Sequence, residues 1–137
     1  MKTQTLRGRK VIGGKASGEA AVSATALCFR SEFNPIEGRV IDSNHPLYDR
    51  ILTGKVVVMP STKGSSGNTM FVRIASLEGK APAALIHKEI DSPLVLACAI
   101  ANIPLVQIGE TEFGLIQDGD WIEVDADEGI IEVKRKG

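Results

Sequence analysis

The chain has 137 residues, a length that fits one domain built around one hydrophobic core. Hydrophobic residues make up 43% and charged residues 24%, and a formal net charge of −1 gives no electrostatic case for nucleic acid or an anionic membrane. No apolar run is long enough to cross a bilayer, and the basic opening "MKTQTLRGRK" leads into no apolar signal core, so the expectation is a single cytoplasmic domain over residues 1–137.

From the N-terminus, "LRGRKVIGGKASGEAAVS" reads as strand, turn, strand, with Gly13-Gly14 and Gly18 in the turn chemistry. "AAVSATALCF" reads as a strand with blurred alternation. "RSEFNPIEGRVIDSNHPLYDRI" is crowded with turn formers and reads as a long loop carrying a short strand at Arg39–Ile41. "KVVVM" is a continuous β-branched run, the pattern of a strand covered on both faces. After the polar stretch "STKGSSGNT", Met70, Ile74 and Leu77 recur at helical spacing and Phe71 broadens their face; the helix starts near Gly67–Asn68 and stops at Gly79. "APAALIHK" is a second buried strand. Asp91 or Ser92 caps a helix with Pro93 in its first turn and Asn102 at its end, and "IPLVQIG" is a third buried strand. Residues 55–109 therefore run βαβαβ. "DGDWIEVDADEGIIEVK" changes to strand alternation and closes as a β-hairpin. The fold class is α/β: a β-rich framework from both chain ends around a central βαβαβ unit.

Cys28 and Cys98 stand seventy residues apart with no C-x-x-C pair, and read as two buried small hydrophobes. Two cysteines and two histidines supply no ligand set for structural zinc or an iron–sulfur cluster, so the chain alone binds no metal and any metal in its chemistry must be held largely elsewhere. The acidic "DGDWIEVDADEG" lacks the spacing of a calcium loop and reads as a solvated turn.

The candidate site is the loop "KGSSG". Loops between the C-terminal end of a buried strand and a helix N-terminus are where open α/β sheets bind ligands, and the first helical N–H groups favour an anion. Gly64 and Gly67 admit close approach to the backbone, Ser65 and Ser66 offer hydroxyls, and Lys63 offers a positive charge. The same loop also reads as a polar segment that merely caps its helix, and pattern alone leaves both open. It is neither a P-loop, because Lys63 precedes the glycines, nor a nucleophile elbow, because the G-x-S-x-G spacing is missing. A serine triad would have to recruit His45, which reads as a turn residue, or His87, which ends a strand.

Taken together, "GGKASGEAAVS", "HPLYDRILTGKVVVMPSTKGSSG" and "KAPAALIHKEIDSPLVLACAIANIPLV" resemble the small subunit of the aconitase X family, which includes phosphomevalonate dehydratase and cis-3-hydroxy-L-proline dehydratase. The resemblance covers nearly the whole chain. It implies a swivelling β/β/α domain docked on a large subunit, with the iron or iron–sulfur centre on that partner. It also implies a small hydroxy-acid substrate. More distantly, "GSSG" is similar to the "GSSRE" phrase of aconitase and isopropylmalate dehydratase. That similarity implies Ser65 as the base and Ser66 as a substrate contact, with Gly67 standing where those enzymes carry an arginine; any cation for the substrate's anion must then be Lys63 or come from the large subunit. Ser17 and Gly18 read either as cleft or partner-surface residues or, more simply, as a glycine-rich hairpin. Asp42, His45, Pro46 and Leu47 read as a docking or gating loop. "GSS" in place of the "GST" of archaeal phosphomevalonate enzymes, with the altered loop "FRSEFNPIEGRVIDSNHPLYD", tilts the substrate toward hydroxyproline. Two alternatives are a swivelling phosphocarrier, which needs an accessible histidine, and a stand-alone small-molecule-binding module.

Overall fold

The computed structural model describes residues 2–63 and 67–135. The chain opens with β1 (Lys2–Arg7), β2 (Arg9–Ile12) and β3 (Lys15–Val22). The expected strand–turn–strand is not a hairpin. β2 pairs antiparallel with a distant strand, β8 (Leu105–Gln107), while β3 pairs with β9 (Trp121–Asp125) on one side and β6 (Val56–Met59) on the other. Gly14, at φ +127°, redirects the chain between them. The single strand expected across "AAVSATALCF" stops at Val22, because the Ser23 hydroxyl accepts from the Thr25 N–H and donates to the Thr25 carbonyl, folding the backbone into a turn. Leu27 then makes only an isolated bridge, to Thr62. The long loop carries β4 (Phe33–Asn34) and β5 (Arg39–Val40), paired antiparallel. Asn34 Oδ1 accepts from the N–H groups of Ile36 and Glu37, and Gly38 at φ +72° completes the turn.

The centre is β6, α1 (Gly67–Leu77), β7 (Ala84–His87), α2 (Ser92–Ala101) and β8, with β6, β7 and β8 parallel neighbours. All four residues of β6 and of β7 are buried, as continuous apolar runs covered on both faces should be. Asp91 caps α2 by accepting from Leu94 N at 2.9 Å, and Asn102 ends it in the left-handed region. A short helix, α3 (Glu110–Gly114), follows β8 without having been expected; Glu112 Oε1 accepts from Gly109 N at its start. β9 and β10 (Ile130–Arg135) form the predicted hairpin, with Ile122 and Val124 buried.

Among the described residues the main sheet has eight strands in the order β1-β10-β9-β3-β6-β7-β8-β2. Its end strands, β1 and β2, are separated in the chain only by Gly8, so the sheet curls until its two edges meet. Gly8 N–H donates to Gly129 O across that seam, and a Cβ on Gly8 would stand 2.5 Å from Gln107 O. One core lies inside the curl, with Ala20, Val56, Val58, Ile86, Val106, Ile122 and Ile131. The alternate residues Val57, Met59, Leu85 and Leu105 form a second core with Val72 and Ala75 of α1, Leu94 and Ala97 of α2, and Phe29, Phe33 and Leu47 of the long loop. Two β layers and one helical layer result.

The apolar face of α1 departs from its expected use. Val72 and Ala75 face the core, whereas Met70 (58% exposed) and Leu77 (76%) face outward. Leu96 and Ile100 of α2 are also exposed, and a groove of about 600 Å³ runs between the helices past Thr69, Met70, Arg73, Pro93, Leu96 and Ile100.

Candidate functional site

Gly64, Ser65 and Ser66 lie outside the described residues. What is described is the frame around them. Lys63 is the residue on one side and Gly67, the first residue of α1, is on the other. Both belong to the C-terminal edge of the parallel strands β6–β8, the edge at which such sheets bind ligands. The outgoing strand end is fastened at three points. Pro60 O accepts from the N–H groups of Lys88 and Glu89, Lys63 N–H donates to Leu27 O at 3.0 Å, and Thr62 bridges Leu27.

Asn68 ties this frame together. It is buried in the first turn of α1, where its Oδ1 accepts from Arg30 N at 2.9 Å and from Cys28 Sγ at 3.5 Å. Its Nδ2 donates to Lys63 O at 3.0 Å. One side chain therefore joins the long loop, the residue before the serines and the helix after them. The exposed side chain of Arg30 leaves the backbone from this knot. No acidic residue stands in the first turn of α1, so the positive end of its dipole is not offset there by its own side chains.

Lys63 is not an isolated cation. Its Nζ lies 3.0 Å from Glu32 Oε2, and Glu32 is a buried carboxylate whose Oε1 accepts from Cys28 N at 2.7 Å. The hydrogen bond to Glu32 raises the Lys63 pKa above its ordinary value. Asp42 joins the cluster: the Asn44 N–H, followed by its contact with Glu32, holds its pKa below the usual carboxylate range. Neither Glu32 nor Asn68 is visible as a site residue in the sequence, because their roles arise only when the long loop lies against α1.

The other candidates separate. The His45 ring is buried; its Nδ1 accepts from Leu47 N at 3.0 Å, which leaves the proton on Nε2 to donate to Ala26 O at 3.2 Å. With Leu47 in the core and His45 N–H on Asp42 O, the 42–48 turn is pinned, and Ser43, Asn44, Pro46 and Tyr48 are its exposed residues. Ser17 pairs with Glu123 and lines a groove with Lys15, Glu123, Asp125 and Glu132. It stands five residues before Val22, the neighbour of Val58, so it is roughly 16 Å from the loop edge of the sheet. Gly18 is needed for packing: a Cβ there would meet Gly54 O at 2.3 Å. Cys28 and Cys98 are both buried, and burial pushes the Cys98 thiol up to about 12.

His87 is fully buried at the end of β7. In register it stands beside Met59 and Gln107, on the helix side of the sheet. Neither ring nitrogen has a hydrogen-bond partner among the described residues, and burial lowers its pKa to about 3. A covered imidazole does not meet the phosphocarrier's need for an accessible histidine. Thr62 Oγ1 is likewise buried without a partner. Each such atom costs about 1–3 kcal/mol relative to a satisfied one. No three His, Cys, Asp or Glu side chains come together as a metal site among the described residues, which offer an iron centre no ligand set. No described helix is long and apolar enough to cross a membrane.

Comparison with known proteins covers almost the whole chain. The family model described as the aconitase X swivel domain matches residues 5–133. A phosphomevalonate dehydratase small subunit from Thermococcus gammatolerans is 36% identical over 128 residues, covering 93% of this chain and 96% of the relative. Another, from Methanothermobacter thermautotrophicus, is 39% identical over 125 residues, covering 90% of this chain and 95% of the relative. The crystal structure of Thermococcus kodakaraensis aconitase X in its holo form superposes with a TM-score of 0.91 at 32% identity, covering 96% of this chain and 99% of that one.

Proposed function

The chain belongs to the aconitase X swivel-domain family, and from that membership we propose that it is the small subunit of a two-chain hydro-lyase that dehydrates (R)-5-phosphomevalonate. One observation carries this reading: relatives named phosphomevalonate dehydratase small subunit match it over nine-tenths or more of both chains. Dehydration takes a proton from one carbon and hydroxide from its neighbour, leaving a C=C bond and water. Ser65 is the proposed base for the C–H proton. Gly64, Ser66 and Gly67 are the proposed contacts through which substrate approaches the backbone at the start of α1. The amides there, with no acidic side chain in the first turn, suit a phosphate or carboxylate oxygen. Lys63 is proposed as a second substrate contact, and its pairing with Glu32 means that its charge is shared rather than wholly available to the anion. The large subunit supplies the remaining groups, including the iron centre, and the complex works in the cytoplasm.

The test is to produce the chain with its large subunit and assay both candidate substrates. The expected results are dehydration of phosphomevalonate by the complex and none by either chain alone. Ser65→Ala lowers turnover by about 10²–10⁴ while the complex still forms. Turnover of cis-3-hydroxy-L-proline alone would reverse the substrate assignment in favour of the reading that the "GSS" phrase and the altered long loop suggest. Near-normal turnover in the alanine variant removes Ser65 from the mechanism. Tight ligand binding by the chain with no partner, measured by calorimetry, would favour a stand-alone binding module.

A further inference from the structure

Lys63 is held at both ends. Its N–H donates to Leu27 O and its C=O accepts from Asn68 Nδ2, while its Nζ reaches Glu32 Oε2 at 3.0 Å. Glu32 is itself fastened from several sides: its N–H donates to Cys28 O, its C=O accepts from Ile41 N, and its Oε1 accepts from Cys28 N. Cys28 Sγ then donates to Asn68 Oδ1. A ring of contacts thus runs from the backbone of Lys63 through Asn68, Cys28 and Glu32 back to the ammonium of the same lysine. Stability does not account for this arrangement. The side chain of Glu32 is 10% exposed and that of Lys63 50%. An ion pair to a half-exposed lysine contributes little to folding, and withdrawing a carboxylate from water opposes it. Glu32 also engages only part of an ammonium that has three N–H donors, and the exposed remainder lies at the C-terminal edge of the parallel strands, where Asn68 joins it to the first turn of α1.

We propose that Glu32 is a positioning residue for substrate binding: it holds the Lys63 ammonium at a fixed place on the strand edge, with the remaining N–H donors available to a phosphate or carboxylate oxygen of the substrate. This rests on the substrate contact proposed above for Lys63. A lysine that must be ordered by its ligand loses rotamer freedom on binding, and Glu32 has already restricted this one. Glu32, Asp42 and Cys28 are the titratable groups around the ammonium, and His45 lies within electrostatic reach of Asp42.

The experiment is a double-mutant cycle on the complete complex with phosphomevalonate, using Glu32→Gln, which keeps the volume and removes the charge, and Lys63→Met. Lys63→Met raises KM about tenfold or more with kcat within about twofold, the signature of a lost binding contact. Glu32→Gln raises KM about three- to tenfold, and the double variant is no worse than Lys63→Met alone, because Glu32 acts through Lys63. Of two competitors, inorganic phosphate and acetate, the one whose inhibition Lys63→Met weakens identifies the kind of oxygen held. Independently of turnover, the ¹³Cε resonance of Lys63 in the free wild-type chain titrates above the ordinary lysine value, as its bond to Glu32 requires, and in Glu32→Gln it returns toward that value. A Glu32→Gln complex with wild-type KM overturns the proposal. So do losses that multiply in the double variant, or a wild-type Lys63 resonance that titrates as an ordinary lysine. A wild-type complex inert toward phosphomevalonate counts against the proposed substrate instead; cis-3-hydroxy-L-proline, which also carries a carboxylate, then replaces it in the same cycle, while the resonance measurement decides the Glu32–Lys63 link on its own.

Discussion

Asn68 carries the contacts that fix where the serine loop leaves and re-enters the fold. Its buried amide holds Arg30 N, Cys28 Sγ and Lys63 O. Asn68→Ala removes all of these and costs about 1–3 kcal/mol in chemical unfolding. Because the same bonds set the loop's start, turnover of the complex should drop at least about tenfold. His87 makes a different prediction. Folded, its imidazole stays neutral down to about pH 3; unfolded, it titrates near 6.5. As pH falls below 6.5 the unfolded chain binds the proton first, so folding stability declines from pH 6.5 toward 3 by up to about 1.4 kcal/mol per unit. Asp42, and Asp120, whose carboxylate accepts from Arg135 Nε at 2.8 Å at the end of β10, have folded pKa values below 3.8 and add loss of the same sign only once pH falls below that value. Urea titrations between pH 7 and 4 should show this slope in wild type and a flatter one in His87→Leu. An equal slope in both would remove His87 as its source.

At the scale of elements, local signals were reliable where one residue type decides the geometry. Asp91, Pro93 and Asn102 mark α2 in the sequence as they do in the structure. Asp91→Ala removes the bond to Leu94 N and should cost about 1 kcal/mol, a fall of roughly 2–6 °C in the melting midpoint. The valine run of β6 and the hairpin of β9 and β10 were equally legible, because burial on two faces and burial on one face leave different periodicities. Three features were not legible for physical reasons. The Ser23 turn ends β3 through a hydroxyl bond that competes with strand pairing. The five residues of α3 are too few to carry a period. Helical spacing identifies an apolar stripe on α1 but not what covers it, and here Val72 and Ala75 meet the sheet while Met70 and Leu77 do not. In the candidate site, the sequence shows Lys63 beside the serines. Its pairing with Glu32 and the anchoring of Asn68 depend on contacts across roughly thirty to forty positions, which local spacing cannot register.

The whole molecule depends on the curl of its sheet. One residue, Gly8, joins the two end strands, and a Cβ on it would stand 2.5 Å from Gln107 O and 2.7 Å from Val106 Cγ1, closer than a Cβ tolerates. Gly8→Ala should therefore open the seam at a cost of about 1–3 kcal/mol, read as a lower melting midpoint with the hairpin of β9 and β10 still paired. The curl in turn presents the C-terminal ends of β6, β7 and β8, with the starts of α1 and α2, as one edge. On this account that edge is half of a site, able to bind and position but completed by a second chain. The most direct test is to titrate the purified chain into its purified large subunit while following phosphomevalonate dehydration. The account predicts no activity from either alone, activity that rises to a plateau at a fixed ratio of the two chains, and loss of that activity when the added chain carries Ser65→Ala. Full dehydration by the large subunit alone, unchanged on adding this chain, would contradict it.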